Sequence, residues 1–382
     1  MTEYIVKSGD SVFSIAKSFG ITPDALLAAN PEITDPDRID VGQTIQIPAR
    51  EQARRTIDVN GYAFPHIDMQ VLQDTLPYLT YLSIFSYEVK PDGSLIPIDD
   101  QALINTARQM RVAPMMVITN IEEGEGFSSD LAHTILTDQQ VQQTLLNSVV
   151  NLLKSKNYYG LDIDFEYIYP DDREAYNRFL EKAAQRLHPL GYIVVTALAP
   201  KVSADHPGLL YEAHDYAVHG RLMDHVILMT YEWGYTYGPP MAVAPANQVE
   251  RVLRYATTVI PGEKILMGMP NYGYDWTLPY KEGTAARSIS LVQAQELAQT
   301  QGAAVEFDEN AQAPFFKYTD DAGAEHVVWF DNEQSIRARL EFVEEYGLGG
   351  VSYWTISRFS PASYETLASM YDVRKVISIP RE

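Results

Sequence analysis

The chain has 382 residues and no cysteine. That absence excludes disulfide staples, thiolate metal ligands and a cysteine nucleophile. Positive charge is scarce as well: 29 lysines and arginines stand against 51 aspartates and glutamates, a formal net charge of −22. Such a surface repels nucleic acid and anionic membrane, so neither is expected as a partner. No run of about 18 apolar residues occurs, which argues against a helical membrane span. The opening residues, Met1-Thr2-Glu3-Tyr4-Ile5-Val6-Lys7, show no basic stretch followed by an apolar one, so no secretory signal is expected.

Tyrosine, by contrast, is abundant, with 25 residues beside 4 tryptophans, a composition suited to stacking and hydrogen bonding against a carbohydrate polymer. The first fifty residues read as a self-contained unit. A strand at Tyr4–Val6 leads to a Gly9-Asp10-Ser11 turn that caps a helix. In that helix Val12, Ile15, Ala16 and Phe19 recur at helical spacing, with Gly20 as its stop. Thr22-Pro23 starts a second helix running to about Ala29, Asn30-Pro31 ends it, and residues 41–47 supply a closing strand. Residues 49–56 form a short charged connection without a Gly/Ser run, so limited swing is expected.

From Ile57 onward short apolar strands alternate with helical patterns. The expected strands cover 57–62, 81–85, 114–119, 160–166, 192–199, 225–231, 265–270 and 350–354. Helices such as 171–187 and 333–346 fall between them. Eight strand–helix units predict an α/β fold, a (β/α)8 TIM barrel over 57–382. The stretch 275–330 is too long for a simple crossover and reads as an inserted α+β element, a hairpin over the barrel mouth.

The stretch Tyr158–Tyr167 reads Y-Y-G-L-D-I-D-F-E-Y. On a strand, Asp162, Asp164 and Glu166 share one face and Leu161, Ile163 and Phe165 the other. The acids then lie about 6–7 Å apart, close enough to raise at least one pKa. A carboxyl kept protonated near neutral pH is a general acid. Helices on both sides leave such a strand no solvated outer face, so the acids must line an interior or a cleft. Asn120, Tyr231 and Trp354 close other strands at the same end, where barrel active sites form.

Two resemblances follow from these motifs. Tyr4-x-Val6-x-x-Gly9-Asp10-Ser11, Ile15-Ala16, Asn30-Pro31 and Val41-Gly42-Gln43-x-Ile45-x-Ile47-Pro48 resemble a LysM module, spanning 1–48. That resemblance implies binding of N-acetylglucosamine-containing glycans such as peptidoglycan or chitin, with Gly9, Asp10, Ser11 and Asn30 around a shallow groove. The L-D-I-D-F-E strand, M-T-Y near the sixth strand end and the tryptophan on the eighth resemble glycoside hydrolase family 18. Val117–Glu122, Asp171–Leu180 and Tyr211–Tyr216 are similar to its spore-cortex-lytic branch. The resemblance implies a retaining, substrate-assisted mechanism without metal or cofactor. Glu166 would be the proton donor, Asp164 the clamp on the substrate acetamido N–H and Asp162 its hydrogen-bonding neighbour. Tyr231 would hold the acetamido oxygen and Trp354 would floor the sugar site, which Asn120, Glu232, Tyr62 and Trp233 are expected to line. Tyr159 and Glu232 depart from the family pattern, Tyr159 replacing an acid and Glu232 an aspartate. A peptidoglycan hydrolase of the spore coat and cortex region is the expected function. A chitinase-type hydrolase and a non-catalytic coat lectin are the alternatives, and oligomeric state is left open.

Overall fold

The computed structural model describes residues 2–19, 21–36, 38–48, 54–122 and 124–378. The chain forms two compact units, Met1–Arg55 and Thr56–Glu382. In the first, β1 (Thr2–Ile5) pairs antiparallel with β2 (Thr44–Ile47). Between them run α1 (Val12–Phe19) and α2 (Pro23–Ala28). The Thr22 side chain accepts from Ala25 N at 3.1 Å, the cap that its place before Pro23 predicts. Val12, Ile15, Ala16, Leu26, Ile45 and Ile47 bury one another between the helices and the strand pair. Gly20, the expected stop of α1, lies outside the described residues, as do residues 49–53 of the connection.

The second unit is a closed parallel barrel. Its first seven strands are β3 (Thr56–Ala63), β4 (Tyr81–Glu88), β5 (Ala113–Thr119), β6 (Gly160–Asp164), β7 (Ile193–Leu198), β8 (His225–Leu228) and β9 (Ile265–Pro270). An insertion follows, built of β10 (Gly273–Thr277), β11 (Arg287–Ile289), β12 (Glu306–Asp308), β13 (Ala313–Thr319) and β14 (Glu325–Trp329) with a helix at Leu291–Thr300. The last strand, β15 (Gly350–Trp354), pairs in parallel with both β9 and β3 and so closes the ring. The expected inserted hairpin is therefore only the centre of a five-stranded antiparallel sheet. Its outer strands β11 and β12 have three residues each, too few to show a period of two.

Each barrel strand is buried on both faces. Tyr62, Met115, Val117, Val195, Ala197, Ile227 and Leu266 pack inside the ring, while the opposite faces meet the helices. The end where the strands begin is covered by the chain's own tail: Val376 and Ile377 pack on the interior cluster. Lys375 Nζ donates to Leu76 O at 3.0 Å and Arg111 Nε to Ile377 O at 3.3 Å, holding that tail down. The opposite end is left for the site.

The helix before β6 shows how the acid strand is delivered. Asp138 caps Gln139–Lys156 by accepting from Gln140 N and Val141 N, and Asn157 ends it in the left-handed region at φ 64°. Tyr159 N then donates to Pro114 O at 2.7 Å, starting a ladder that sets Asp162 beside Val117 and Asp164 beside Thr119. No helix among the described residues is long and apolar enough to cross a membrane.

Candidate active site

Asp162 and Asp164 point inward from β6 and are 0% and 4% exposed. Phe165 points the other way, its ring 5.9 Å from Phe179 and 6.1 Å from Tyr176 in the helix layer. Apolar residues therefore lock the strand from outside, which frees the inner face to carry acids. Glu166 lies two residues past the end of β6, not on the strand as its spacing predicts, and is half-buried.

Side chains replace the missing ladder around Glu166. Asn120 Nδ2 donates to Glu166 O at 2.8 Å and to Ser128 O at 3.0 Å, while its Oδ1 accepts from Glu166 N at 2.9 Å. His214 Nδ1 accepts from Ala199 N at 3.0 Å, so Nδ1 is bare and the ring neutral. Its Nε2 then donates to Phe165 O at 3.0 Å. Burial pushes the His214 pKa down to about 4, which keeps this donor–acceptor pattern intact at neutral pH. Tyr167 follows at φ 53°, turning the chain sharply away, and its carbonyl accepts from Ser129 Oγ.

The acids differ in their surroundings. Asp162 Oδ2 accepts from Tyr62 OH at 2.8 Å and from Ser83 Oγ at 3.0 Å. Burial raises the Asp162 pKa to about 6, against the opposing pull of these two bonds. Asp164 is pushed well above the carboxylate range, first by burial and then by the charges of Glu166 and Asp162. Burial carries Glu166 up to about 7. Asp162 Oδ1 and Asp164 Oδ1 are both buried without a hydrogen-bond partner, so the expected direct bond between these two acids is not formed here. An orphan oxygen on a buried carboxyl is costly unless a proton or a ligand donor meets it.

Tyr231 lies three residues beyond β8. Gly268 makes room for it: a Cβ there would come within 2.8 Å of Tyr231 Cε1 and 2.5 Å of Leu228 O. Burial and the charges of Asp164 and Glu166 keep its phenol protonated. Glu232 next to it adopts φ 66° and projects into the mouth. There it accepts from Tyr272 OH and, at 3.1 Å, from Tyr274 OH. Its surface stays open to solvent, yet the protein crowding its base raises its pKa. Trp354 stands at the end of β15 with its ring 5.0 Å from Phe85 and 5.4 Å from Tyr62, both edge-on. Beside it opens a cavity of about 320 Å³ lined by Trp354, Phe64, His66, Glu232, Tyr272 and Tyr274, with Asn271, Ser288, Thr355, Ser357 and Arg358.

Tyr62, Tyr231, Glu232 and Trp354 thus gather with the three acids. Three expected ligand contacts do not. Asn120 is fully buried, and its amide is engaged on the Glu166 backbone and the Ser128 carbonyl, so in this structure it positions the acid. Trp233 is half-buried against the barrel core and does not line the cavity. Asn30 is fully buried too: its Nδ2 donates to Leu26 O and Gln46 O, and its Oδ1 accepts from Gln46 N at 2.6 Å, stapling α2 to β2. In the same unit Asp10 accepts from Tyr4 OH and Lys7 N, each at 2.8 Å, and Ser11 exchanges capping bonds with Ser14. Gly9, at φ 91°, and Ser11 remain exposed. Sequence reasoning missed Ser83, His214, Asn271, Tyr272 and Tyr274. The alternation Tyr272-x-Tyr274-x-Trp276 was a readable signal for an aromatic strand face.

With this geometry in view, comparison with known proteins is decisive. Residues 60–358 match the model for glycosyl hydrolases family 18. The chain belongs to that family. Residues 4–48 match the LysM domain. This family 18 hydrolase is 40% identical to the cortical fragment-lytic enzyme of Bacillus subtilis (strain 168), over 98% of this chain and 99% of that protein. The alignment runs over 429 positions, more than the 382 residues here, so the relative carries segments that this chain lacks. The spore cortex-lytic enzyme SleL of Bacillus megaterium QM B1551 superposes with a TM-score of 0.84 at 38% identity, over 98% of this chain and 87% of that one. SleL of Bacillus cereus gives 0.83 at 37%, with the same coverage.

Proposed function

We propose that this family 18 hydrolase degrades spore-cortex peptidoglycan, cutting the β-1,4 bond beside N-acetylglucosamine, and acts at the spore. The observation that carries the chemistry is a half-buried Glu166 with a pKa near 7, next to two buried carboxyls that have unmet oxygens. In this reading Glu166 gives its proton to the glycosidic oxygen as the C1–O bond breaks. The substrate's own acetamido oxygen attacks C1, forming an oxazolinium ion with retention to follow. The orphaned Asp164 Oδ1 accepts the acetamido N–H and steadies its developing positive charge. Tyr231 donates to the acetamido oxygen, and Trp354 excludes water beneath the ring. Glu166, now a carboxylate, takes a proton from the water that opens the oxazolinium.

The similarity to the cortical fragment-lytic enzymes supports cortex glycan as substrate over chitin. The N-terminal unit, proposed to span 1–48 and to be joined by 49–56, would hold the same polymer through its exposed Gly9–Ser11 turn. Digestion of purified cortex, with mass spectrometry of the new reducing ends, tests this reading. N-acetylglucosamine at the new ends supports it, muramic acid there reassigns the bond cut, and faster turnover of chitin oligomers than of cortex fragments overturns it.

A further inference from the structure

The inserted sheet has two faces with different partners. Side chains alternate along β10, so Tyr274 and Trp276 face one way and Asp275 the other. Toward the mouth, Tyr272, Tyr274, Trp276, Ala286 and Val327 bury Val243 of the long loop after β8 in a cluster of their own, against which Tyr231 and Trp354 pack. Polar bonds join the same two pieces. Tyr272 and Tyr274 donate to Glu232, Trp276 Nε1 to Gly238 O at 2.9 Å, Tyr280 OH to Tyr237 O at 2.7 Å and Ala286 N to Thr236 O at 2.6 Å. The loop from Glu232 to Val243 therefore leans on the insertion. Its far end is fixed from the helix Glu333–Glu345, where Arg339 Nη1 donates to Ala244 O at 3.0 Å.

The opposite face carries a buried carboxylate that the reaction does not use. Asp275 is 4% exposed and collects one donor from each of three other strands. Arg287 Nη2 of β11 donates to its Oδ2 at 2.8 Å, Tyr318 OH of β13 to Oδ2 at 2.9 Å, and His326 Nδ1 of β14 to Oδ1 at 2.8 Å. His326 Nε2 lies 3.4 Å from Asp320 Oδ2 in the turn between β13 and β14, which carries the network to the tip of that hairpin. Ile289, Phe316 and Val328 of the same face pack into the main core. Burying a charge is a poor way to gain stability, because desolvation offsets most of the Coulombic gain. What three directional, charge-assisted bonds supply is position: they lock β10 against β11, β13 and β14.

We propose that the insertion is a brace for the loop after β8, and that Asp275 is the positioning residue on which the brace depends. With Asp275 bonded, β10 holds Tyr274 and Trp276 against the loop, and Glu232 keeps its left-handed backbone and the aim set by its two tyrosines. Without that anchor β10 is free to shift, the tyrosines lose Glu232, and the Glu232 side of the mouth loosens. Asp275 itself touches no ligand and acts through Glu232.

Hydrogen exchange on the full chain is the first test. Asp275→Asn keeps the shape of the side chain but turns one of its acceptors into a donor. Exchange should rise about tenfold or more in the loop 232–243 as well as in the insertion, with β3 to β7 unchanged. Kinetics on cortex fragments are the second test, and this arm alone rests on the peptidoglycan reading. KM should rise about tenfold, the size of one lost charge-assisted hydrogen bond, with kcat changed less than about threefold. In a Glu232→Gln background the same substitution should change KM less than about twofold, because the group it positions is gone. Tyr318→Phe removes one donor of the three and should move every reading the same way by a smaller factor; it carries the test if Asp275→Asn does not fold. Loop exchange equal to wild type, or an equal rise in KM with and without Glu232, overturns the proposal. A wild type that leaves cortex fragments uncut would sink the proposed activity instead, and exchange in the loop would still decide the brace.

Discussion

Asn30 in the small unit and Asp164 in the barrel are both buried polar residues singled out by their motifs, yet their hydrogen bonding is opposite. Asn30 spends both ends of its amide on α2 and β2, whereas Asp164 keeps a buried oxygen with no partner. A small unit buries little apolar surface, so its polar residues are needed to hold it together. The barrel has a large core and can tolerate carboxyls that destabilise it. The difference teaches that a satisfied buried group holds a fold, while an unsatisfied one beside a cavity is kept for a ligand.

Glu166→Gln presses hardest on this contrast. Activity should fall by about 10³-fold or more, since general acid–base catalysis contributes on that scale, and the protein should become more stable, as shown by melting curves at several pH values. Asp162 and Glu166 have pKa values raised to about 6 and about 7 in the folded unit. Their stabilising contribution is fully present below the unfolded carboxylate range of about 4 and is lost as pH rises through 6 to 7. The substitution should therefore raise Tm at pH 8 and leave it almost unchanged at pH 4. Lower stability at pH 8 would mean that Glu166 is structural after all. The wild-type rate should fall on the alkaline side with a midpoint near 7.

Asn120→Ala comes next. Loss of the clamp on Glu166 should lower kcat by about 10- to 100-fold with little change in KM, the pattern of a misplaced acid. A change in KM alone would return Asn120 to the substrate. Asn30→Ala should cost the small unit about 2–4 kcal/mol, because Gln46 N and O lose their partner. Hydrogen exchange at the Leu26 and Gln46 amides would report it, and protection equal to wild type would break the contrast. Tyr62→Phe should raise the Asp162 pKa further, since the phenol favours its charged form, and shift the pH–rate profile by about one unit. Ser11→Ala, the smallest of the set, should cost α1 about 1 kcal/mol of cap stability.

Much of this was legible in one dimension. Periods of two and 3.6 carry strand and helix without help from the rest of the chain, so the eight barrel strands and both module helices could be read to within a few residues. L-D-I-D-F-E announced its own acidic face for the same reason. The insertion was half legible: the Phe315–Phe330 pair showed, but the three-residue strands could not. The bonds that Asn120 and Asn30 make within the protein were not legible, because an asparagine that caps, staples or binds sugar looks identical in sequence.

The sequence by itself determined the family, the barrel, and the placing of Asp162 and Asp164 on the inner face of one strand, because alternation and spacing are local properties of the chain; that Glu166 falls just past the strand's end it did not show. Only the tertiary structure decided which polar atoms were already satisfied. Asn120, just past β5, bonds to the Glu166 backbone, His214, in the loop after β7, donates to the carbonyl of Phe165, Tyr272 and Tyr274 turn to Glu232, and Arg358 lines an open cavity. Those are long-range pairings, made when the ring closes.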